Sequence, residues 1–187
     1  MNPTTGPVGS GRVARIVLVG FMGAGKSSVG AALAGRLGWD FVDMDEEIRA
    51  RTGRSIPEIF ASGGEAAFRS LEDAVGADLL SRSHLVLAAG GGWAAVAGRL
   101  ENLPGATVSV WLRVSPEEAL RRASGQGIRR PMLETPDPLE TARELLRLRE
   151  PFYSVADVTL DTEGSDPQRL AVDLLRVIDG LPLSPPT

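Results

Sequence analysis

The sequence predicts an α/β fold, a three-layer α/β/α sandwich in which a five-stranded parallel sheet is covered by helices on both faces. Short apolar runs alternate with helical patterns along all 187 residues, which is how βαβ units read. The first run, Arg15-Ile16-Val17-Leu18-Val19, leads straight into Gly20-Phe21-Met22-Gly23-Ala24-Gly25-Lys26-Ser27, the pattern G-x-x-x-x-G-K-[ST]. The stretch from Ser28 to Leu37 then reads as a helix, so the glycine loop lies at a strand-to-helix turn.

Taken in order, strands are expected at 15–19, 40–42, 84–89, 107–112 and 156–160, each a short apolar run. Helices are expected near 26–37, 44–51, 56–61, 64–82, 93–101, 116–123, 137–153 and 167–179. The helix over 64–82 carries the apolar line Phe68, Leu71, Val75, Leu79, and that over 137–153 the stripe Ala142, Leu145, Leu146, Phe152, Tyr153. Residues 13–180 are read as one domain. Residues 1–12 and 181–187, rich in Gly, Pro, Ser and Thr or in Pro, are read as flexible ends. The segment 123–138 is long, punctuated by glycine and proline, and carries Arg129 and Arg130. A loop of that length in a compact domain reads as a lid.

Composition narrows the function. Hydrophobic content of 43% and charged content of 24% are ordinary for a globular protein. A net charge of −4 leaves no electrostatic footprint for nucleic acid or an anionic membrane. No apolar run approaches the roughly 20 residues that span a bilayer, and the first residues have no apolar signal core. Cysteine is absent, which excludes disulfides and thiolate metal sites. A cytoplasmic location, no nucleic-acid or membrane partner, and a monomer are expected.

Lys26 is the only lysine, so nineteen of the twenty basic residues are arginine. Lysine stands only where a compact ammonium must reach a phosphate from inside a loop. Glycines at 20, 23 and 25 let successive N–H groups converge on phosphate oxygens, and the following helix adds its N-terminal dipole. Lys26 can neutralise β- and γ-phosphate charge, and the Ser27 hydroxyl can ligate Mg²⁺. Nucleoside triphosphate binding is the expected chemistry.

The strand at 40–42 ends in Asp43-Met44-Asp45. In an extended chain that spacing projects both carboxylates to one side. One can hold Mg²⁺ through its water shell, and the other can accept a hydroxyl proton and aim that oxygen at the γ-phosphorus. Either can also cap the following helix. The run 85–89 ends in Gly90-Gly91-Gly92 rather than in an aspartate, so Asp43 must serve the metal if Mg²⁺ is used. The glycine triplet permits close backbone approach to a ligand or forms a plain turn.

Arg149 shares the apolar stripe of its helix, where a guanidinium needs an anion. Arg143 and Arg147 fall on other faces and read as solvated. Arg69 follows Phe68, and Glu72 three residues on can hold it. Two fixed guanidiniums point to a carboxylate on a small substrate, or to structural ion pairs. His84 reads as the opening of a strand. Trp39, Trp93 and Trp111 read as packing residues, with Trp93 also placed to line a pocket beside the triplet.

Together these residues resemble the shikimate kinase family over roughly 12–180. The matching pieces are Gly20–Ser27, Phe41-Val42-Asp43-Met44-Asp45, Gly64-Glu65 with Phe68-Arg69 and Glu72, Gly90-Gly91-Gly92, Arg130-Pro131-Met132-Leu133, and Arg149-Glu150-Pro151-Phe152-Tyr153. The resemblance implies a P-loop kinase fold of nucleoside monophosphate kinase type with a mobile lid. It implies ATP-dependent phosphorylation of the 3-hydroxyl of shikimate, with Mg²⁺, on the route to chorismate and aromatic amino acids. It also implies roles. Met22, Gly23, Ala24, Gly25, Lys26, Ser27, Ser28, Arg122, Arg130 and Pro167 would hold the nucleotide, and Ser27 and Asp43 would serve the metal. Asp45, Arg69, Gly90, Gly91, Gly92 and Arg149 would bind shikimate, with Lys26, Asp45 and Arg130 in catalysis.

The chain departs from the family at three places. Gly125-Gln126-Gly127 stands where an Asp-Lys pair is common in the lid. Asp161-Thr162-Glu163-Gly164-Ser165 lacks the basic residue that many members place against adenine, leaving Arg122 and Pro167. Trp93 is unusual after the triplet and is placed to narrow the acceptor pocket. A kinase for another small polyol acid such as gluconate, or a non-catalytic nucleotide-binding module, are the alternative readings.

Overall fold

The computed structural model describes residues 13–125 and 135–181. Its five strands are β1 (Arg15–Val19), β2 (Asp40–Asp43), β3 (Leu85–Ala88), β4 (Thr107–Arg113) and β5 (Val158–Asp161), paired in the order β2-β3-β1-β4-β5. Every pairing is parallel, with Ile16 opposite both Val86 and Val108. The helices are α1 (Lys26–Leu37), α2 (Met44–Thr52), α3 (Ile56–Leu80), α4 (Gly91–Ala94), α5 (Pro116–Gly125), α6 (Pro138–Tyr153) and α7 (Pro167–Asp179). The five-stranded parallel sandwich expected from the sequence is the fold observed.

Alternation along the strands builds two cores. Ile16, Leu18, Val86, Val108, Val110 and Leu112 face Leu33 of α1 and Leu170 and Leu174 of α7. Val17, Val19, Leu85 and Leu87 face Met44 and Ile48 of α2 and Phe68, Val75 and Leu79 of α3. Both faces of β1 and β3 are buried, which is why their sequences read as unbroken apolar runs rather than alternating ones. Because all strands run the same way, the segments after β1, β2 and β3 emerge at one edge, where ligands bind in such sheets.

Several boundaries differ from expectation. The helices expected at 56–61 and 64–82 lie end to end in α3 with the expected break between them, at the non-helical Gly64 (φ 70°, ψ −173°), and the second ends at Leu80 rather than at 82. The helix expected over 93–101 stops at Ala94, and Gly98 has a left-handed φ of 75°. β5 starts at Val158 rather than at 156, because the Asp157 carboxylate accepts from Ser109 N (2.8 Å) and Ser109 Oγ (2.7 Å), taking a donor that a strand carbonyl would use. His84 stands just before β3 at φ 58°, with its carbonyl accepting from Asp40 N at 2.9 Å. Among the described residues no helix is long and apolar enough to cross a membrane.

Trp93 does not reach the acceptor side of the triplet. Its indole is 2% exposed in the core between the sheet and α3, and the Arg99 guanidinium lies 4.9 Å above its ring. Gly76 makes room for it in mid-helix: a Cβ there would come within 2.8 Å of Trp93 Nε1. Glycine in a helix interior costs up to about 1 kcal/mol relative to alanine, but overpacking a rigid core costs about 1–3 kcal/mol. The clash should win because the indole is fully enclosed. Gly76→Ala is therefore expected to destabilise the fold by about 1 kcal/mol net, read as a lower midpoint in urea unfolding with an unchanged slope.

Candidate active site

The loop between β1 and α1 has the backbone of an anion cradle. Gly23 and Gly25 have left-handed φ of 74° and 87°, and a Cβ on Gly23 would lie 2.6 Å from the Ala119 carbonyl. No side chain caps α1 at Gly25, so the N-terminal amides of α1 face the loop as anion donors. The Lys26 ammonium curls over the loop and donates to the carbonyls of Gly20 (2.9 Å) and Phe21 (3.0 Å). Met22, Ala24 and Ser28 belong to the same turn.

Asp43 does two jobs with its two oxygens. Oδ1 accepts from the backbone N–H of Asp45 (3.0 Å) and Glu46 (3.4 Å), capping α2. Oδ2 accepts from Ser27 Oγ at 2.6 Å. Capping therefore takes one oxygen and leaves the other on Ser27. Capping also corrects the argument made for the pair: α2 begins at Met44, so Asp45 lies in the first helical turn and not in extended chain. Asp45 still reaches the second loop, since a Cβ on Gly90 would come 3.7 Å from its Oδ1.

The glycine triplet is not a plain turn. Side chains occupy the space that a Cβ would need: Glu72 at Gly90, and the Arg69 guanidinium at Gly92. At Gly91 a Cβ would meet Gly20 O at 3.3 Å, Tyr153 Oη at 3.3 Å and Arg149 Nη1 at 3.5 Å. The triplet thus touches the P-loop on one side and both arginines on the other. Arg69 donates to Glu72 (2.5 Å) and to Glu65 (2.8 Å). Burial alone would lower the Arg69 pKa, but the bonds to Glu72 and Glu65 together outweigh it and the pKa rises. Glu72, 1% exposed, has its carboxyl pushed up by burial, with Arg69 pulling it back. Arg143 and Arg147 pair with Glu117 and Glu144 on the surface, as their faces suggested.

A cavity of about 360 Å³ opens beside the P-loop, lined by Gly25, Arg122, Thr162, Gly164, Ser165 and Pro167. Arg122 crosses it, donating to Gly23 O (3.2 Å), Thr162 Oγ1 (3.2 Å), Thr162 O (2.7 Å) and Glu118 (2.7 Å). Bonds from Arg121 and Arg122 pull the Glu118 carboxyl down to about 2, so it stays an ionised anchor. The stretch after β5 lacks a basic side chain but supplies Thr162, Gly164 and Ser165 as cavity wall. A larger hollow of about 730 Å³ lies between α3 and residues 96–104, away from the P-loop, and its Arg99 and Asp73 are already paired.

Arg130, Arg129 and most of the lid expected at 123–138 lie outside the described residues. The other expected site residues fall around the P-loop or the triplet. Sequence reading missed three participants. Glu118 was legible as an i,i+4 partner of Arg122. Tyr153 was read in an apolar stripe and in the family-like piece Arg149–Tyr153 without a role of its own, and Thr162 left no local signal.

Ser27 Oγ and Asp43 Oδ2 are hard oxygen donors at one point, which suits Mg²⁺. Among the described residues no cluster of three or more His, Asp or Glu side chains could hold a metal.

Known proteins are similar to this chain in sequence and in fold. A family model described as shikimate kinase matches residues 22–179. Shikimate kinase of Paramagnetospirillum magneticum is 45% identical over 176 residues, covering 94% of this chain and 88% of that protein. The structure of shikimate kinase from Acinetobacter baumannii in complex with shikimate superposes with a TM-score of 0.83 at 41% identity, covering 89% of this chain and 93% of that one. A gluconokinase from Sinorhizobium meliloti, at 23% identity and a TM-score of 0.60, covers 90% of this chain and 95% of its own and shares the fold alone. With the P-loop, the aspartates and the arginine-flanked triplet meeting at one edge of the sheet, this chain belongs to the shikimate kinase family.

Proposed function

We propose that this chain is a shikimate kinase, transferring the γ-phosphoryl group of ATP to the 3-hydroxyl of shikimate to give shikimate 3-phosphate, on the route to chorismate and aromatic amino acids. One observation carries the acceptor reading. The guanidiniums of Arg69 and Arg149 flank the glycine triplet that abuts the P-loop, so a small acid held there has its hydroxyls beside the phosphate cradle. Two fixed guanidiniums suit a carboxylate, which accepts paired N–H bonds.

The division of labour follows from position. The N-terminal amides of α1 and Lys26 hold the phosphates, and the Lys26 ammonium balances charge on the group in transfer. Arg122 and Pro167 take the adenine, with Thr162, Gly164 and Ser165 completing the wall. Ser27 and Asp43 would hold Mg²⁺, Asp43 through water, and the ion when bound neutralises phosphate charge. Asp45 orients the attacking hydroxyl and accepts its proton as the new O–P bond forms and the bond to the β-phosphate oxygen breaks, releasing ADP. Arg69, Gly90, Gly91, Gly92 and Arg149 hold the acceptor. Arg130, by family resemblance, closes on the phosphates. A monomer is the expected state, and the substrates are small and water-soluble, which suits the cytoplasm.

A gluconate-type acceptor and a non-catalytic role are not favoured. The relative at 45% identity is named a shikimate kinase, whereas the likeness to a gluconokinase stays at 23%. In an assay coupled to ADP release, ATP with shikimate is expected to turn over and ATP with gluconate is not; the opposite result would reverse the acceptor assignment.

Lys26→Ala is expected to lower kcat by about 100- to 1,000-fold, as loss of one charge-stabilising group does. Asp45→Asn is expected to lower kcat by about 100-fold or more while the melting temperature stays near that of the wild type. Near-normal turnover of Asp45→Asn would remove that residue from the chemistry. Arg149→Lys loses paired recognition and should raise KM for shikimate about 10-fold or more, with KM for ATP unchanged.

A further inference from the structure

Tyr153 closes α6 with 0% exposure, yet its hydroxyl does not end in the apolar core. It donates to the Gly91 carbonyl at 2.7 Å, and the Arg149 guanidinium, one helical turn back on the same face, reaches the same glycine. Burial raises its pKa and Arg149 opposes the rise, so the phenol stays a neutral donor near neutral pH. Its ring is held by Trp111 of β4, with centroids 6.2 Å apart. A Cβ on Gly91 would touch both Tyr153 Oη and Arg149 Nη1. Hydroxyl, guanidinium and glycine backbone thus meet at one point.

Two features make this contact matter. Glycine is a poor helix former, and Gly91 opens the short helix α4, where Ala94 N donates to Gly90 O (3.3 Å), Ala95 N to Gly92 O (3.2 Å) and the Tyr153 hydroxyl to the Gly91 carbonyl. Because the peptide is planar and trans, fixing the Gly91 carbonyl on Tyr153 directs the Gly92 N–H the opposite way. Pro151, inside α6, lacks the N–H that would bond the Arg147 carbonyl. The helical turn carrying Arg149 and Tyr153 is therefore one rung short and gains a fixed point from the bond to Gly91.

We propose that Tyr153 is a positioning residue whose hydroxyl joins the Gly91 peptide and the Arg149 guanidinium into one rigid unit facing the acceptor. The inference rests on the acceptor reading given above. The experiment is steady-state kinetics on Tyr153→Phe, which keeps the ring and deletes the hydroxyl, beside Trp111→Phe, which loosens the ring's packing and leaves the hydroxyl. Tyr153→Phe is expected to raise KM for shikimate about 5- to 10-fold, with kcat and KM for ATP within about twofold of wild type. Trp111→Phe is expected to lower the melting temperature and leave KM for shikimate within about twofold. An unchanged KM for shikimate in Tyr153→Phe, with normal wild-type turnover, would overturn this inference alone. Equal rises in KM in both variants would assign Tyr153 to packing and overturn it as well. No wild-type turnover on shikimate would overturn the acceptor reading and this inference with it.

Discussion

Close approach of backbone at the carboxyl edge of the sheet is the constraint on which the site depends. The P-loop and the glycine triplet lie in contact, and at Gly20, Gly23, Gly90 and Gly92 a Cβ would collide with a carbonyl, a carboxylate or a guanidinium. Ordinary Cβ contacts would push the P-loop away from Leu112 and Ala119, and the triplet away from Glu72 and Arg69 of α3. Glycine there serves contact as much as turning. Gly90 and Gly92 have no left-handed φ, yet the side chains of Glu72 and Arg69 fill their Cβ positions.

Charge is arranged around that contact so that few cations are left loosely held. Arg69 lies between an exposed Glu65 and a buried Glu72, and Arg122 between Glu118 and the Thr162 carbonyl. A buried carboxylate such as Glu72 is unfavourable alone and acceptable beside a guanidinium. The same pairing aims the guanidinium, so the cost of burial and the precision of the site are two sides of one arrangement. Asp43 shows the economy at smaller scale, with one oxygen closing a helix and the other on Ser27.

Much of this was legible residue by residue. The P-loop, β1 and α1 form a local unit whose spacing encodes strand, turn and helix, and its expected and observed bounds agree. Arg69 with Glu72 was readable because i,i+3 neighbours on a helix must face each other. Elements shaped by distant partners were not. The helix expected over 93–101 ends at Ala94, just after Trp93 enters the core against α3, and β5 starts late because Asp157 bonds Ser109, 48 residues away in sequence. Trp93 was placed at the acceptor pocket by its adjacency to the triplet, whereas Gly76, 17 positions earlier, offers the notch that takes its indole to the other side.

The sequence by itself determined the fold class, the phosphate loop, the aspartate pair and the family, because each is written in short-range spacing and periodicity. Only the tertiary structure decided how the halves of the site meet. It set the glycine triplet against the P-loop, assigned each Asp43 oxygen its partner, closed the cavity wall with Thr162 and brought the Tyr153 hydroxyl to Gly91. The physical reason is range. Helical and strand periods relate neighbours a few residues apart, while a hydrogen bond between residues 62 positions apart exists only once a parallel sheet has brought its strand ends to a common edge.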